Sequence, residues 1–120
     1  VHAISHMVGA EYDTQHGLTN AIVLPVVLRY NLPSLDEKRI QMADALSMSD
    51  KTSDGFIGEI EAKLDRLNIP KSLGEIGIPL DCASRISEKA MLDSAASTNP
   101  VRGDVALVKE LVEESIKKAR

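Results

Sequence analysis

The stretch of residues 18–28 constrains the fold most, because it is apolar on nearly every side. A helix that is apolar all round is expected to lie buried at the centre of a protein. Its β-branched residues also fit a buried strand. Pro25 in mid-run argues against a central strand, since proline cannot donate to the hydrogen-bond ladder of a sheet. We therefore predict a buried central helix over about residues 16–30, kinked or broken at Pro25.

Apolar residues recur at helical spacing through the rest of the chain. The pattern predicts further helices over about residues 2–12, 35–48, 56–67, 81–95 and 104–116. Asp81 and Asp104 stand where the N-caps of the last two helices are expected. Two glycines and two prolines make residues 70–79 a loop. The predicted fold class is all-α, a multi-helix bundle of about five to seven helices without a strand.

Composition excludes several classes of function. A chain of 120 residues predicts one domain. Its net charge of -4 argues against a nucleic acid partner and against an anionic membrane surface. The longest apolar run is far shorter than the roughly 20 residues of a membrane span, and no signal peptide is visible, so we predict a cytoplasmic protein. Cys82 is the single cysteine, which predicts a small buried apolar side chain rather than a disulfide or a cysteine-rich zinc site.

All three histidines fall within the first sixteen residues of the chain. His2 and His6 are four residues apart, which places them on one face of a helix. His16 follows a predicted turn over residues 13–15 and would begin the returning helix. The three imidazoles could then converge on one point, with Glu11 or Asp13 as a further ligand. Such a site suits zinc, iron, copper or nickel, although a single histidine is more often structural than a ligand.

The histidines belong to a longer ordered pattern. Along the chain it comprises His2, His6, Gly9-Ala10, His16-Gly17-Leu18, Asn20-Ala21, Leu24-Pro25, Tyr30-Asn31 and Asn99-Pro100. This pattern resembles the C-terminal signature of the iron-containing alcohol dehydrogenases, the group III metal-dependent enzymes. The resemblance covers the whole chain in outline and is specific over residues 1–31.

The resemblance implies the helical C-terminal domain of a dehydroquinate synthase-like fold, holding a divalent metal that we expect to be Fe2+, with Zn2+ as the alternative. It implies that His2 and His16 are metal ligands, and that His6 lies beside the metal and the nicotinamide in a proton-transfer or positioning role. Ala95 occupies a position near the substrate where relatives often carry a cysteine. The implied reaction is hydride transfer between a small alcohol and NAD or NADP, with the metal polarising the oxygen.

Parts of such an enzyme are missing from the sequence. The family's upstream Asp and His ligands are absent, and residues 55–58 have the wrong spacing for a Gly-rich phosphate loop. Residues 1–120 are therefore expected to be the metal-binding domain alone, without its N-terminal Rossmann-like NAD(P) domain, weak in metal affinity and inactive in isolation. The expected partners are a small alcohol or aldehyde and that N-terminal domain, with a homodimer left open. The alternatives are a standalone interaction or dimerisation module with a vestigial site, and a small three-histidine metal hydrolase.

Overall fold

The computed structural model describes residues 1–120 and contains six α-helices and no strand. The helices are α1 His2–Tyr12, α2 His16–Asn31, α3 Asp36–Ala45, α4 Ser53–Arg66, α5 Ala83–Leu92 and α6 Val105–Lys118. Short 3-10 turns occupy Leu32–Ser34, Gly74–Ile76, Leu80–Cys82 and Ser94–Ala96. The predicted all-α fold is confirmed. None of the helices combines the length and the apolar character that crossing a bilayer requires.

Helix α2 forms the centre of the molecule, as its apolar pattern predicts. Ile22, Val23 and Val26 are almost completely buried, and α2 packs against α1, α4 and α6. The helix continues through Pro25, so the predicted break into two pieces is wrong. Proline has no N–H, and the carbonyl of Ala21 therefore lacks its usual partner within the helix. Packing on several sides holds α2 together despite this missing bond.

Of the two predicted N-caps, Asp104 at α6 is confirmed and Asp81 at α5 is wrong. Asp104 caps α6, since its Oδ1 accepts a hydrogen bond from the backbone N–H of Leu107 at 2.8 Å. Asp81 does not cap α5, which begins at Ala83 after a 3-10 turn and has no side-chain cap. The N–H of Ala83, which an Asp81 cap would accept from, already donates to the carbonyl of Leu80 in that turn. Backbone bonding at this turn takes the place of the predicted carboxylate cap.

The loop between α4 and α5 is part of the core rather than a surface connection. Leu73 is completely buried, and its backbone N–H donates to the carbonyl of Ser115 on α6 at 2.8 Å. Gly74 allows this close approach, because a Cβ there would lie 2.7 Å from the carbonyl oxygen of Ile116. Cys82 is also completely buried, as predicted. The loop thus fixes the C-terminal helix against the rest of the bundle.

Candidate metal centre

The first two helices form a tight hairpin that carries all three histidines. Asp13 ends α1 in the left-handed conformation, with φ 53°, and donates its N–H to the carbonyl of Gly9 at 3.0 Å. Gln15 then caps α2, since its side-chain oxygen accepts from the N–H of Leu18 at 2.5 Å. Because only three residues separate the helices, His16 at the start of α2 faces the histidines of α1.

The three imidazoles converge at the exposed surface of this hairpin. The ring centres of His2 and His6 lie 5.8 Å apart, those of His2 and His16 lie 5.4 Å apart, and those of His6 and His16 lie 5.3 Å apart. The rings of His6 and His16 are stacked, with an interplanar angle of 17°. All three residues are exposed to solvent. The convergence predicted from the i,i+4 spacing and the turn is therefore observed.

The spacing of two of the imidazoles fits two nitrogen ligands of one divalent transition metal, but the cluster does not form a full ligand set. Two imidazoles that share one ion at metal–nitrogen distances of about 2.0–2.1 Å have ring centres roughly 5 Å apart. His2 and His16, with ring centres 5.4 Å apart, fit that requirement. Imidazole nitrogen is a good ligand for iron and for zinc. No group of three or more His, Cys, Asp or Glu side chains is arranged to hold an ion.

His16 is oriented by a short chain of hydrogen bonds. The buried hydroxyl of Ser5 donates to Oδ1 of Asn20 at 2.5 Å. Nδ2 of Asn20 lies 2.9 Å from Nε2 of His16. An amide nitrogen only donates, so Nε2 of His16 is the acceptor and its proton is on Nδ1. The amide of Asn20 occupies the lone pair of Nε2 that His16 would offer to a metal ion.

Asp93 is the residue at this site that the sequence analysis missed. Its Oδ2 lies 2.9 Å from Nδ1 of His6, and its Oδ1 accepts from the N–H of Ala95 at 2.8 Å. The bond from the Ala95 N–H, and secondly the bond with His6, lower the pKa of the Asp93 carboxyl below its usual range. The sequence does indicate a turn at this position, since Asp followed by small residues is typical of turns. Its contact with His6 spans 87 residues, which no local pattern indicates.

The structure does not group Glu11 or Asp13 with the imidazoles as a set of three potential metal ligands. The two carboxylate oxygens of Glu11 accept from Lys89 at 2.7 Å and from Arg85 at 2.8 Å, which joins α1 to α5. Asp13 is exposed at the turn and ends α1. Glu11 is close to the histidines along the chain, but in the fold it pairs with two cations of a distant helix.

The ion pairs of Glu11 predict a pH dependence of stability. Hydrogen bonds from Lys89, and then from Arg85, hold the pKa of Glu11 below its ordinary value of 4.5. Because the folded-state pKa is the lower one, this stabilisation is fully present above about pH 5 and is lost as the pH falls through the folded-state pKa. Glu11→Gln is expected to lower the free energy of unfolding by up to about 1 kcal/mol at neutral pH.

Urea denaturation of wild type and Glu11→Gln across a pH series measures this effect, and the difference should vanish in acid. Glu88→Gln, at an exposed position of the same helix as the two cations, is the control and should leave stability unchanged at every pH. A Glu11→Gln deficit that persists unchanged in acid would contradict an ionic origin.

Ala95, the predicted substrate-pocket residue, lines an apolar cavity of about 580 Å³. Thirteen of its eighteen lining residues are hydrophobic, and they come from α1, α2, α5, α6 and the loop before α6. None of the three histidines lines this cavity. Asn31 and Asn99 hold the loop in place by reciprocal side-chain hydrogen bonds, each 2.9 Å long. Ala95 is linked to the imidazole cluster by the bond of its N–H with Asp93, whose other oxygen contacts His6.

Solved structures share this arrangement of helices. A crystal structure of a 1,3-propanediol oxidoreductase matches with a TM-score of 0.90 at 27% identity, over 96% of this chain and 32% of that chain. An alcohol dehydrogenase from Oenococcus oeni matches with a TM-score of 0.86 at 26% identity, over 95% of this chain and 31% of that chain. The helical bundle is therefore of the type found in alcohol dehydrogenases.

Sequence comparison gives the family. The family model described as "Fe-containing alcohol dehydrogenase family, C-terminal" matches residues 1–116. Alcohol dehydrogenase 4 of Saccharomyces cerevisiae is 32% identical over 121 residues, covering 99% of this chain and 31% of the relative. The 1,3-propanediol dehydrogenase of Citrobacter freundii is 31% identical, covering 96% of this chain and 31% of the relative. The chain belongs to the iron-containing alcohol dehydrogenase family and corresponds to its C-terminal domain. It spans less than a third of the length of these two relatives.

Proposed function

We propose that this chain is the metal-binding domain of an NAD(P)-dependent dehydrogenase that interconverts a small alcohol and its aldehyde or ketone. The observation that carries the proposal is the exposed cluster of three imidazoles on the α1–α2 hairpin, in a chain matched over residues 1–116 by one dehydrogenase family. Relatives named for 1,3-propanediol and for lactaldehyde support a short, polar substrate.

His2 and His16 are the proposed metal ligands. Their ring centres are separated by a distance that fits two nitrogen donors to one ion, and both residues are open to solvent. Fe2+ is the proposed ion and Zn2+ the alternative, since imidazole suits both. Once bound, the ion supplies Lewis-acid polarisation of the alcohol or carbonyl oxygen. The displaceable amide of Asn20 keeps the ring of His16 oriented before an ion arrives.

His6 is the proposed proton-handling and nicotinamide-positioning residue. Its ring is stacked on that of His16, so it lies directly beside a proposed ligand. An imidazole exchanges protons near neutral pH, which suits the proton that accompanies alcohol oxidation. Ala95 is the proposed substrate-side residue, and its small methyl group leaves room in the apolar cavity.

The remaining parts of the enzyme are proposed to come from a second domain. That domain would bind NAD or NADP and add the metal donors that residues 1–120 lack. By itself the 120-residue chain is proposed to be inactive and to bind metal weakly.

Metal removal from the full-length protein tests the proposed function. Chelation is expected to lower NAD(P)-linked oxidation of short alcohols by at least about 100-fold, because loss of the ion is more severe than loss of an outer-shell partner. Addition of Fe2+ or Zn2+ should restore the rate, with metal content followed by mass spectrometry. Undiminished turnover in a protein shown to be free of metal would overturn the proposal, as would no turnover of any short alcohol with the metal loaded.

A further inference from the structure

We propose that Asp93 is a positioning residue, which fixes the proton of His6 on Nδ1 and leaves the Nε2 lone pair of that imidazole free. This inference rests on the proposed function in one respect, namely that His6 handles the proton of the reaction. The preference of Asp93 for one tautomer of His6 is a property of this chain and can be measured without turnover.

The hydrogen bonds of Asp93 determine the tautomer. Oδ1 accepts from the backbone N–H of Ala95, and Oδ2 is 2.9 Å from Nδ1 of His6. An ionised carboxylate can only accept hydrogen bonds, so the proton of this contact has to be on Nδ1. A neutral imidazole with its proton on Nδ1 has Nε2 as its acceptor. The ring therefore presents a base on the side that Asp93 does not contact.

Asp93 is the less exposed member of its pair with His6. The side chain of Asp93 is only 14% exposed, whereas that of His6 is 42% exposed. The bond with Ala95 fixes the carboxylate at the start of the 3-10 turn Ser94–Ala96, directly after α5. Without this contact an exposed imidazole can rotate and adopt either tautomer. Asp93 thus selects one ring orientation and one protonated nitrogen.

Two substitutions separate positioning from a merely structural role. In Asp93→Asn the new side chain has only one oxygen. If this oxygen keeps the bond with the Ala95 N–H, the NH2 group of the Asn donates to Nδ1 of His6. The proton of the imidazole is then forced onto Nε2. Ser in Asp93→Ser keeps an acceptor for the turn but does not reach His6. Asp50→Asn is the matched control, because Asp50 also accepts from a backbone N–H two residues on, that of Thr52, at 3.0 Å.

Long-range proton–nitrogen NMR of the 120-residue chain at about pH 8 reads the tautomer of the neutral His6 ring. We expect the proton on Nδ1 in wild type and in Asp50→Asn, on Nε2 in Asp93→Asn, and on a mixture of both nitrogens in Asp93→Ser. Circular dichroism checks that the helices remain. A wild-type His6 protonated mainly on Nε2 overturns the inference even if every variant unfolds, and so does a folded Asp93→Ser in which the proton stays wholly on Nδ1.

Kinetics of the full-length protein test whether the orientation matters. Asp93→Asn is expected to lower kcat by about 10- to 100-fold, with little change in KM and with metal content unchanged. A tautomer change without loss of kcat overturns the positioning role in the reaction. Failure of wild type to oxidise any alcohol would overturn the proposed function instead, and leave the tautomer result standing.

Discussion

Replacing His2 or His16 by alanine in the full-length protein is expected to lower both metal occupancy and alcohol oxidation by at least about 100-fold. Outer-shell partners of a metal typically contribute 10- to 100-fold to affinity or activity, and a direct ligand should contribute at least as much. Either substitution leaves a single proposed ligand among residues 1–120, with His6 as the nearest remaining imidazole. Metal per protein after gel filtration, measured together with kcat, checks this expectation.

His6→Ala tests whether His6 has a different role from the two proposed metal ligands. It is expected to lower kcat while leaving metal occupancy within a few-fold of wild type, because His6 is proposed to handle the proton rather than to bind the ion. The distances do not separate the roles, since His6 and His16 lie as close together as His2 and His16. A histidine held by a carboxylate is also a common arrangement for a metal ligand. Loss of metal from His6→Ala as complete as from His2→Ala would show that His6 is a third ligand.

Leu73→Ala is expected to lower the free energy of unfolding by about 2–5 kcal/mol, the range for removing a large aliphatic side chain from a packed core. Leu73 is completely buried within the main apolar core, although it lies in a loop. Substitution would leave a cavity beside α6, where the backbone of the loop is bonded to Ser115. Urea denaturation followed by circular dichroism measures the change.

Leu67→Ala provides the matched control for this effect. Leu67 carries the same side chain shortly before the same loop but is 70% exposed. Its substitution should change stability by no more than about 0.5 kcal/mol, as is usual for surface positions. Equal effects of the two substitutions would contradict the placement of Leu73 in the core.

The sequence predicts most of the helical architecture because that architecture follows from local patterns. The apolar character of residues 18–28 indicates the buried position of α2, and Asp104 marks the start of α6 correctly. The convergence of the histidines also has a local origin, since it requires only an i,i+4 spacing and a short turn. The hairpin therefore brings the backbones of the three histidines close together through local structure alone.

The errors arise where a tertiary contact decides the outcome. Asp93 joins His6 across the fold, and its turn with Ala95 ends α5 at Leu92, earlier than predicted. Glu11 is near the histidines along the chain and was therefore a candidate ligand. In the fold its carboxylate accepts hydrogen bonds from the two cations of α5, Arg85 and Lys89. In both cases the partner lies more than 70 residues away. Local spacing carries no information about such pairs.

The reciprocal amide bonds between Asn31 and Asn99 have a consequence for the chemical ageing of the protein. Spontaneous deamidation begins when the backbone nitrogen of the following residue attacks the asparagine side chain, and its product is a carboxylate that could no longer donate to Asn31. The residue after Asn99 is Pro100, whose nitrogen carries no hydrogen and cannot follow this route. Asn31 belongs to the end of a helix, where the backbone is held in place. Both members of this amide pair are therefore poorly placed for the reaction, and the pair should persist through long storage.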